Sequence, residues 1–447
     1  MLSTIPLSIA VAAATSSLAS QAWPCDAFVL PPSGSQRTLA VHALRRSRTD
    51  AITDTITDDV LPHMISFFAL DMVDSTTNRF YYTCRPPTGE REHRHMPIRD
   101  LAAAWDATKA LLFLQRHGKE NYGQRDCNEM RQNLRAAVCS TLEAYQPLTP
   151  MLQAKTTGFA NQHRSALTLD ANMLQETTNI AHSALMIMAT ANARRLTICS
   201  DSDVHKNISG LLQGILSRQR SDGAFQVEFP SIGQAVSDDV HKGIDFFPGE
   251  AMLALMDVYD LSETSGGVVN EAVRESIVSS MERAYMFYCD YYHQVRPEVN
   301  FNIWQIISIS RFYDVLGRRG RSDQATLVAH HVLQMCRDIA HSRAWKELKQ
   351  GQRFYANLNT VEVVCGLDAI AEGIRLASAI GDDDTAALLQ RNAINAVYFV
   401  EWSQSQVSKD SPVGFGGLGF GGTQVIEQRL DVTGHALSAL VKLCLVL

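Results

Sequence analysis

The chain has 447 residues, 46% of them hydrophobic and 19% charged, and a formal net charge of −7. Such a composition supports a sizeable packed core and excludes long disorder, while the mildly acidic, scattered charge excludes a nucleic-acid footprint. The length exceeds what one ordinary hydrophobic core holds, so either two domains or a repeat architecture is required.

The N-terminal residues read as a leader. Ile5 to Leu18 is an apolar and small-residue run of signal-peptide length, too short to span a bilayer comfortably, and no Lys or Arg precedes it. After Ala22-Trp23-Pro24-Cys25-Asp26-Ala27-Phe28 the stretch to Thr49 carries Arg37, Arg45, Arg46 and Arg48 and no acid. Basic, hydroxyl-bearing and acid-free is the composition of an organelle transit peptide. Residues 1–20 are therefore expected to be a signal peptide and 21–49 a transit-like leader, together a bipartite plastid presequence. The alternative is a secretory signal followed by a disordered leader.

From residue 50 onward one unit recurs six times: an amphipathic helix, a connection, and a helix of small and aliphatic residues. The amphipathic helices are predicted over Ala51–Met72, Cys127–Tyr145, Asp203–Arg220, Asn270–His293, Asp323–Arg343 and Asp383–Gln404. Each carries one apolar stripe at three and four spacing, as in Leu134, Ala137, Val138 and Leu142. The helices paired with them are predicted over Ile98–Gln115, Glu176–Ala193, Asp245–Asp260, Asn300–Leu316, Asn359–Ala379 and Asp431–Leu447. They are apolar on nearly all sides, which requires neighbours on all sides. Six outer amphipathic and six inner buried helices predict an all-α (α/α)6 toroid over residues 50–447.

The connections are asymmetric. Turns from inner to outer helices are mostly short, such as Gly317 to Gly320, whereas those from outer to inner are mostly long, such as Gln146 to Leu174 and Ser221 to Ile244. Long loops therefore gather on the face of the inner-helix N-termini, where unpaired N–H groups favour hydroxyl-rich or anionic ligands.

Candidate chemistry lies on that face. Gln219-Arg220-Ser221-Asp222-Gly223-Ala224-Phe225 is a reversing turn, echoed more loosely from Gln404 to Phe415. Asp222, Glu228, Asp245, Glu250 and Asp431 are the candidate catalytic carboxylates, since glycosidic chemistry needs two carboxyls with separated pKa values. The structural alternatives are a turn residue for Asp222, caps for Asp245 and Asp431, and a capping box for Glu250. Tyr82, Arg99, Asp100, Phe246, Trp304, Glu362 and His435 are candidate substrate-binding residues: Arg99 for bidentate grip of an anion, His435 as a base, and the aromatics for sugar stacking. Glu90 to His95 fits no zinc spacing, and the glycine-rich run Gly414 to Gly422 lacks P-loop features, so neither a metal nor a cofactor is expected. The nine cysteines form no Cys-x-x-Cys pair and are expected to be unpaired.

Several strings resemble a family of largely uncharacterised bacterial α/α-toroid proteins. They are Phe80-Tyr81-Tyr82 to Pro86-Pro87-Thr88-Gly89, Ile98-Arg99, Asp222-Gly223-Ala224-Phe225, Phe246-Phe247-Pro248-Gly249-Glu250-Ala251, and Arg429 to Leu440. The resemblance spans residues 60–447, and the broader fold is similar to six-hairpin glycosidases, uronyl epimerases and the toroid domains of terpenoid cyclases. It implies the toroid fold and no particular substrate, because this architecture hosts many reactions. The expected activity is that of a carbohydrate-active enzyme of glycosidase, lyase or epimerase type. A terpenoid or prenyl cyclase and a non-catalytic binding toroid are the alternatives. The expected partner is a small-molecule or oligosaccharide ligand, with no nucleic acid and no membrane span in the mature chain.

Overall fold

The computed structural model describes residues 49–447 except 94–95, 118–120, 123–124, 148–166, 169–178, 230–242, 265–268, 296–298, 409–410, 412 and 420–426. The leader expectations lie outside the described residues.

The inner helices are α2 (Pro97–His117), α4 (Ile180–Arg195), α6 (Phe247–Thr264), α8 (Val299–Arg318), α11 (Thr360–Ile380) and α13 (Leu430–Val446). Each packs on the next, and α13 returns to pack on α2, so the ring closes. The outer helices are α1 (Leu61–Ser66, flanked by π-helical turns Ile56–Val60 and Phe67–Asp71), α3 (Cys127–Ala144), α5 (Asp201–Ser217), α7 (Glu271–Val295), α9 (Ser322–Ala340) and α12 (Asp383–Ser405). A short helix, α10 (Arg343–Leu348), interrupts the connection from α9 to α11. The described residues form the all-α (α/α)6 toroid.

Burial explains why each helix takes its ring. Every residue of α4 from Ile180 to Ala193 is buried, as a helix surrounded by others requires. In α9 the buried set Ala325, Val328, Ala329, Val332, Cys336 and Ile339 follows helical spacing and marks one inward stripe. Each fully buried aliphatic side chain contributes about 1.5–3 kcal/mol relative to exposure. Helix starts are set by side-chain caps: Asp126 to Asn128 N–H, Asn179 to Ala181 N–H, Ser200 to Asp203 N–H and Asn359 to Val361 N–H. The eight cysteines from Cys84 to Cys444 are all free thiols.

Two close approaches require glycine. A Cβ at Gly249 on α6 would stand 2.4 Å from Trp304 Cβ on α8, and one at Gly434 on α13 would stand 2.1 Å from Asp106 Oδ2 on α2. Gly249→Ala is expected to force α6 and α8 apart at a cost of about 1–3 kcal/mol, measured as a lower Tm. An unchanged Tm would mean the two helices do not pack this closely.

The long connections carry short β pairings that tie loop to loop. Strand Thr83–Arg85 pairs antiparallel with Glu90–Glu92 on one side and with Gln428–Arg429 on the other. Leu430 N–H then donates to Tyr82 O, which fixes where α13 begins. The glycine turn is used twice. Gln219 Nε2 donates to Gly223 O and to Ser280 O on α7, and Gln404 Nε2 donates to Gly416 O and to Val60 O. Gly223 and Gly416 have φ of 101° and 103°, and a Cβ on either would strike the backbone carbonyl of the neighbouring outer helix. Each turn thus locks one outer helix to the next.

No helix among the described residues is long and apolar enough to cross a membrane.

Candidate active site

The first turns of α2, α6 and α13 come together at one end of the ring, here called the mouth. Arg99 on α2 reaches Asp431 on α13, with its Nη1 2.8 Å from Asp431 Oδ2. Arg429 grips the same carboxylate twice, Nε at 3.0 Å and Nη2 at 2.5 Å. The guanidinium of Arg429 lies 5.4 Å from the centre of the Tyr82 ring, so the buried Tyr82 supports it from below. Burial alone would raise the Asp431 pKa, but Arg99 and Arg429 outweigh it and hold it below the usual carboxylate range.

Glu250, in the first turn of α6, is the opposite case. It is only 6% exposed, and among the described residues its Oε2 has no hydrogen-bond partner. Burial pushes its pKa up to about 8, with the charge of Arg99 pulling weakly the other way. Glu250 is therefore a neutral acid at pH 7, beside a cation.

Two imidazoles stand at this end of the ring. His435, one turn into α13, is lowered by burial, against the pull of Asp106, Asp368 and Asp431. His182, the third residue of α4, accepts the Asn179 N–H on Nδ1 at 3.2 Å, which completes a capping box. Its proton therefore sits on Nε2, and burial lowers its pKa to about 4. Both are neutral bases near pH 7.

The floor is aromatic. Trp105 of α2 and Trp304 of α8, from helices on opposite sides of the ring, meet with ring centres 5.6 Å apart. His435 stands edge-on to Trp304 at 5.9 Å. Next to them a network of charged and polar side chains links the inner helices. Lys109 Nζ lies 3.1 Å from the Trp105 ring centre, 3.0 Å from Asp106 Oδ1 and 2.8 Å from Ser438 Oγ. Ser438 donates to Asp368 at 3.0 Å, and Lys442 stands 2.7 Å from Asp368 and 3.4 Å from Glu372. Glu372 pairs with Arg375 at 3.0 Å, and Arg375 with Asp314 at 3.0 Å. On the other side Arg195 reaches Asp257 at 3.4 Å and Asn192 donates to Thr108 at 3.1 Å. These bonds stitch α2, α13, α11 and α8 on one flank, and α2, α4 and α6 on the other.

The sequence candidates divide accordingly. Arg99, Glu250, Asp431, His435 and Trp304 are brought together. Tyr82 acts one contact further out. Asp222 closes its turn, accepting from Ala224 N–H at 3.1 Å and pairing with Arg220 at 3.0 Å on the surface. Asp245 accepts from the Tyr291 hydroxyl at 3.1 Å, and Asp100 from the Tyr145 hydroxyl at 2.5 Å. Glu228 is half-buried, and its backbone bridges Asn179 at the start of α4. Glu362 is half-buried in the first turn of α11, and Phe246 is 41% exposed just ahead of α6. Sequence reasoning missed His182, Trp105, Asp106, Lys109, Asp368 and Lys442. A signal existed: Asp431, His435, Ser438 and Lys442 fall at i, i+4, i+7 and i+11, a polar stripe at helical period on an otherwise apolar helix.

A closed double ring with charged side chains at the inner-helix N-termini defines the class of this molecule as an (α/α)6 toroid. No family model matches the chain, and no curated protein matches it. Among solved structures it is similar in fold to a D-mannose isomerase, with a TM-score of 0.54 at 12% identity, covering 89% of this chain and 99% of that one. It is also similar to a GH76 α-mannanase of Bacteroides thetaiotaomicron, with a TM-score of 0.50 at 10% identity over 86% of this chain and 94% of that one. Both are α/α-toroid carbohydrate enzymes.

Proposed function

We propose that the chain is a carbohydrate-active enzyme of isomerase or epimerase type, transferring protons at the carbonyl end of a small sugar. The observation that carries this reading is Glu250, a buried carboxyl whose Oε2 has no hydrogen-bond partner among the described residues and whose pKa burial pushes up to about 8, within the field of Arg99. A neutral acid, a neutral imidazole and a fixed cation are what proton abstraction next to a carbonyl needs. In this scheme His435 removes the proton from the carbon next to the carbonyl. Glu250 protonates the carbonyl oxygen, and Arg99 holds the developing charge. Return of the proton to the former carbonyl carbon, with the neighbouring hydroxyl giving its proton to the Glu250 carboxylate, gives the ketose. Return to the other face of the carbon that lost it, with the first oxygen giving its proton back to Glu250, gives the epimer. Trp304 and Trp105 supply a stacking floor for the ring or chain. The charged network beside that floor is unlike the dry apolar lining a terpenoid cation needs.

A glycosidase is the second reading, favoured by the similarity to the α-mannanase. It requires two carboxyls about 5–9.5 Å apart. On this reading Asp431 and Glu250 would have to serve as the two carboxyls, although Asp431 is already gripped by two arginines.

The test is incubation of the full-length chain with D-mannose and other aldohexoses in D2O, followed by NMR, with reducing-end release from α-mannan measured in parallel. Deuterium at the carbon next to the carbonyl, with ketose or epimer appearing, supports the proposal. Sugar release without exchange replaces it with the glycosidase, and neither result leaves a binding protein.

A further inference from the structure

Away from the mouth, the outer helices α7 and α9 bring three metal-ligating side chains together. Cys289 and His293 are four residues apart on α7 and so share one face of it, and His331 meets them from α9. Cys289 Sγ lies 3.5 Å from His331 Nδ1. One ligand atom from each of the three lies within 4.8 Å of the other two. The His293 and His331 rings stand edge to face with centres 5.4 Å apart.

These separations are close to those a metal would impose. With zinc–sulfur and zinc–nitrogen bonds of about 2.3 and 2.05 Å, a tetrahedral ion holds sulfur and nitrogen about 3.6 Å apart. The Cys289–His331 pair already has that spacing. His293 is the exposed member, and a side-chain movement of about 1 Å brings it to the same separation.

The surroundings hold the ligands in place. His331 is only 7% exposed. Tyr285 and Tyr292 stand edge-on to its ring at 5.9 and 5.5 Å, and the Tyr292 hydroxyl donates to Asp338. The cluster lines a cavity of about 400 Å³ whose wall includes Asp290 and His330. A donor set of one sulfur and two imidazoles is wrong for calcium or magnesium, which take oxygen, and right for zinc or cobalt.

We infer that Cys289, His293 and His331 form a zinc site on the outer wall of the toroid, separate from the mouth. The fourth position opens to the cavity, toward Asp290, His330 and solvent. On binding, the Cys289 thiol gives up its proton to solvent and the thiolate takes the metal, which clips α7 to α9 and stabilises the folded chain by linkage. The sequence carried only a Cys-x-x-x-His pair, and its third ligand lies 38 residues further on.

The test is titration of the untagged, chelator-stripped, full-length chain with Co2+ and then Zn2+. One equivalent of cobalt is expected to produce a thiolate-to-metal charge-transfer band and the intense visible bands of four-coordinate cobalt, both abolished by zinc. Zinc is also expected to raise the Tm. Cys289→Ser should lose the charge-transfer band and the Tm shift, and Cys139→Ser should keep both. His293→Ala, at an exposed position that leaves the fold intact, should weaken zinc binding about tenfold or more, on the scale of a lost ligand-shell interaction. A Cys289→Ser variant that binds like the wild type would overturn the site. So would a weak six-coordinate cobalt spectrum, or less than one equivalent bound.

Discussion

Replacing Glu250 with glutamine is expected to lower turnover by about 100-fold or more, the usual weight of a positioned acid, while leaving the fold intact. Glutamine keeps the shape of a protonated glutamic acid and is neutral in the buried site, so the packing it meets is unchanged. What it removes is the transferable proton. The same residue sets a pH signature. Its pKa is about 8 in the folded chain against an ordinary 4.5, so between those values the folded state binds the extra proton. Stability from this group is full below about 4.5 and is lost as pH rises through 8, at no more than about 1.4 kcal/mol per pH unit. Urea unfolding of wild type from pH 5 to 8.5 should show this decline, and Glu250→Gln should flatten it. Equal slopes in the two proteins would mean that Glu250 is ionised when folded, and its assignment as the acid would fall.

Glu372→Ala is expected to cost about 3–5 kcal/mol, the penalty for breaking a buried ion pair and leaving its partners uncompensated. The Glu372 side chain is 4% exposed. Burial would raise its pKa, but Lys442, Arg311 and Arg375 outweigh that and hold it at about 2. Removing it leaves Lys442 with Asp368 alone, and Arg375 with Asp314. The linkage here runs opposite to that of Glu250. The contribution is present above about 4.5 and is lost as pH falls toward 2. Denaturation at pH 7 measures the cost. An acid limb that is shallower in Glu372→Gln than in wild type identifies the carboxylate as its source. A loss under about 1 kcal/mol, the surface-pair value, would mean that water reaches the network.

How far the site could be read in advance depended on which neighbour each residue would meet. Arg99, Glu250, Asp431 and His435 could be singled out because each lies within the first two turns of an apolar inner helix, where a polar residue needs a reason. Asp222 and Asp245 carried the same sequence signal, yet their carboxylates are taken up by Arg220 and Tyr291. The difference between Glu250 and Asp431 is only partly local. One is lifted by burial and the other held down by two guanidiniums. Arg429 stands two residues away from Asp431, but Arg99 comes from α2, far off in sequence. The network residues went unread for a related reason. Lys109, Asp368 and Lys442 look like isolated polar interruptions of apolar helices until the ring closes and sets them against one another.

The toroid fold of the described residues was readable in the chain alone. Helical periodicity distinguishes a one-striped outer helix from an all-round apolar inner one, and the lengths of the connections assign the open face. Those are local properties, readable within about twenty residues of chain. The chemistry was decided by tertiary structure alone. A pKa depends on the charges and water within a few ångströms, and ring closure supplies both from helices hundreds of residues apart. The same closure turned scattered polar residues into a charged network, while the neighbouring placement of α7 and α9 brought Cys289 and His293 to His331.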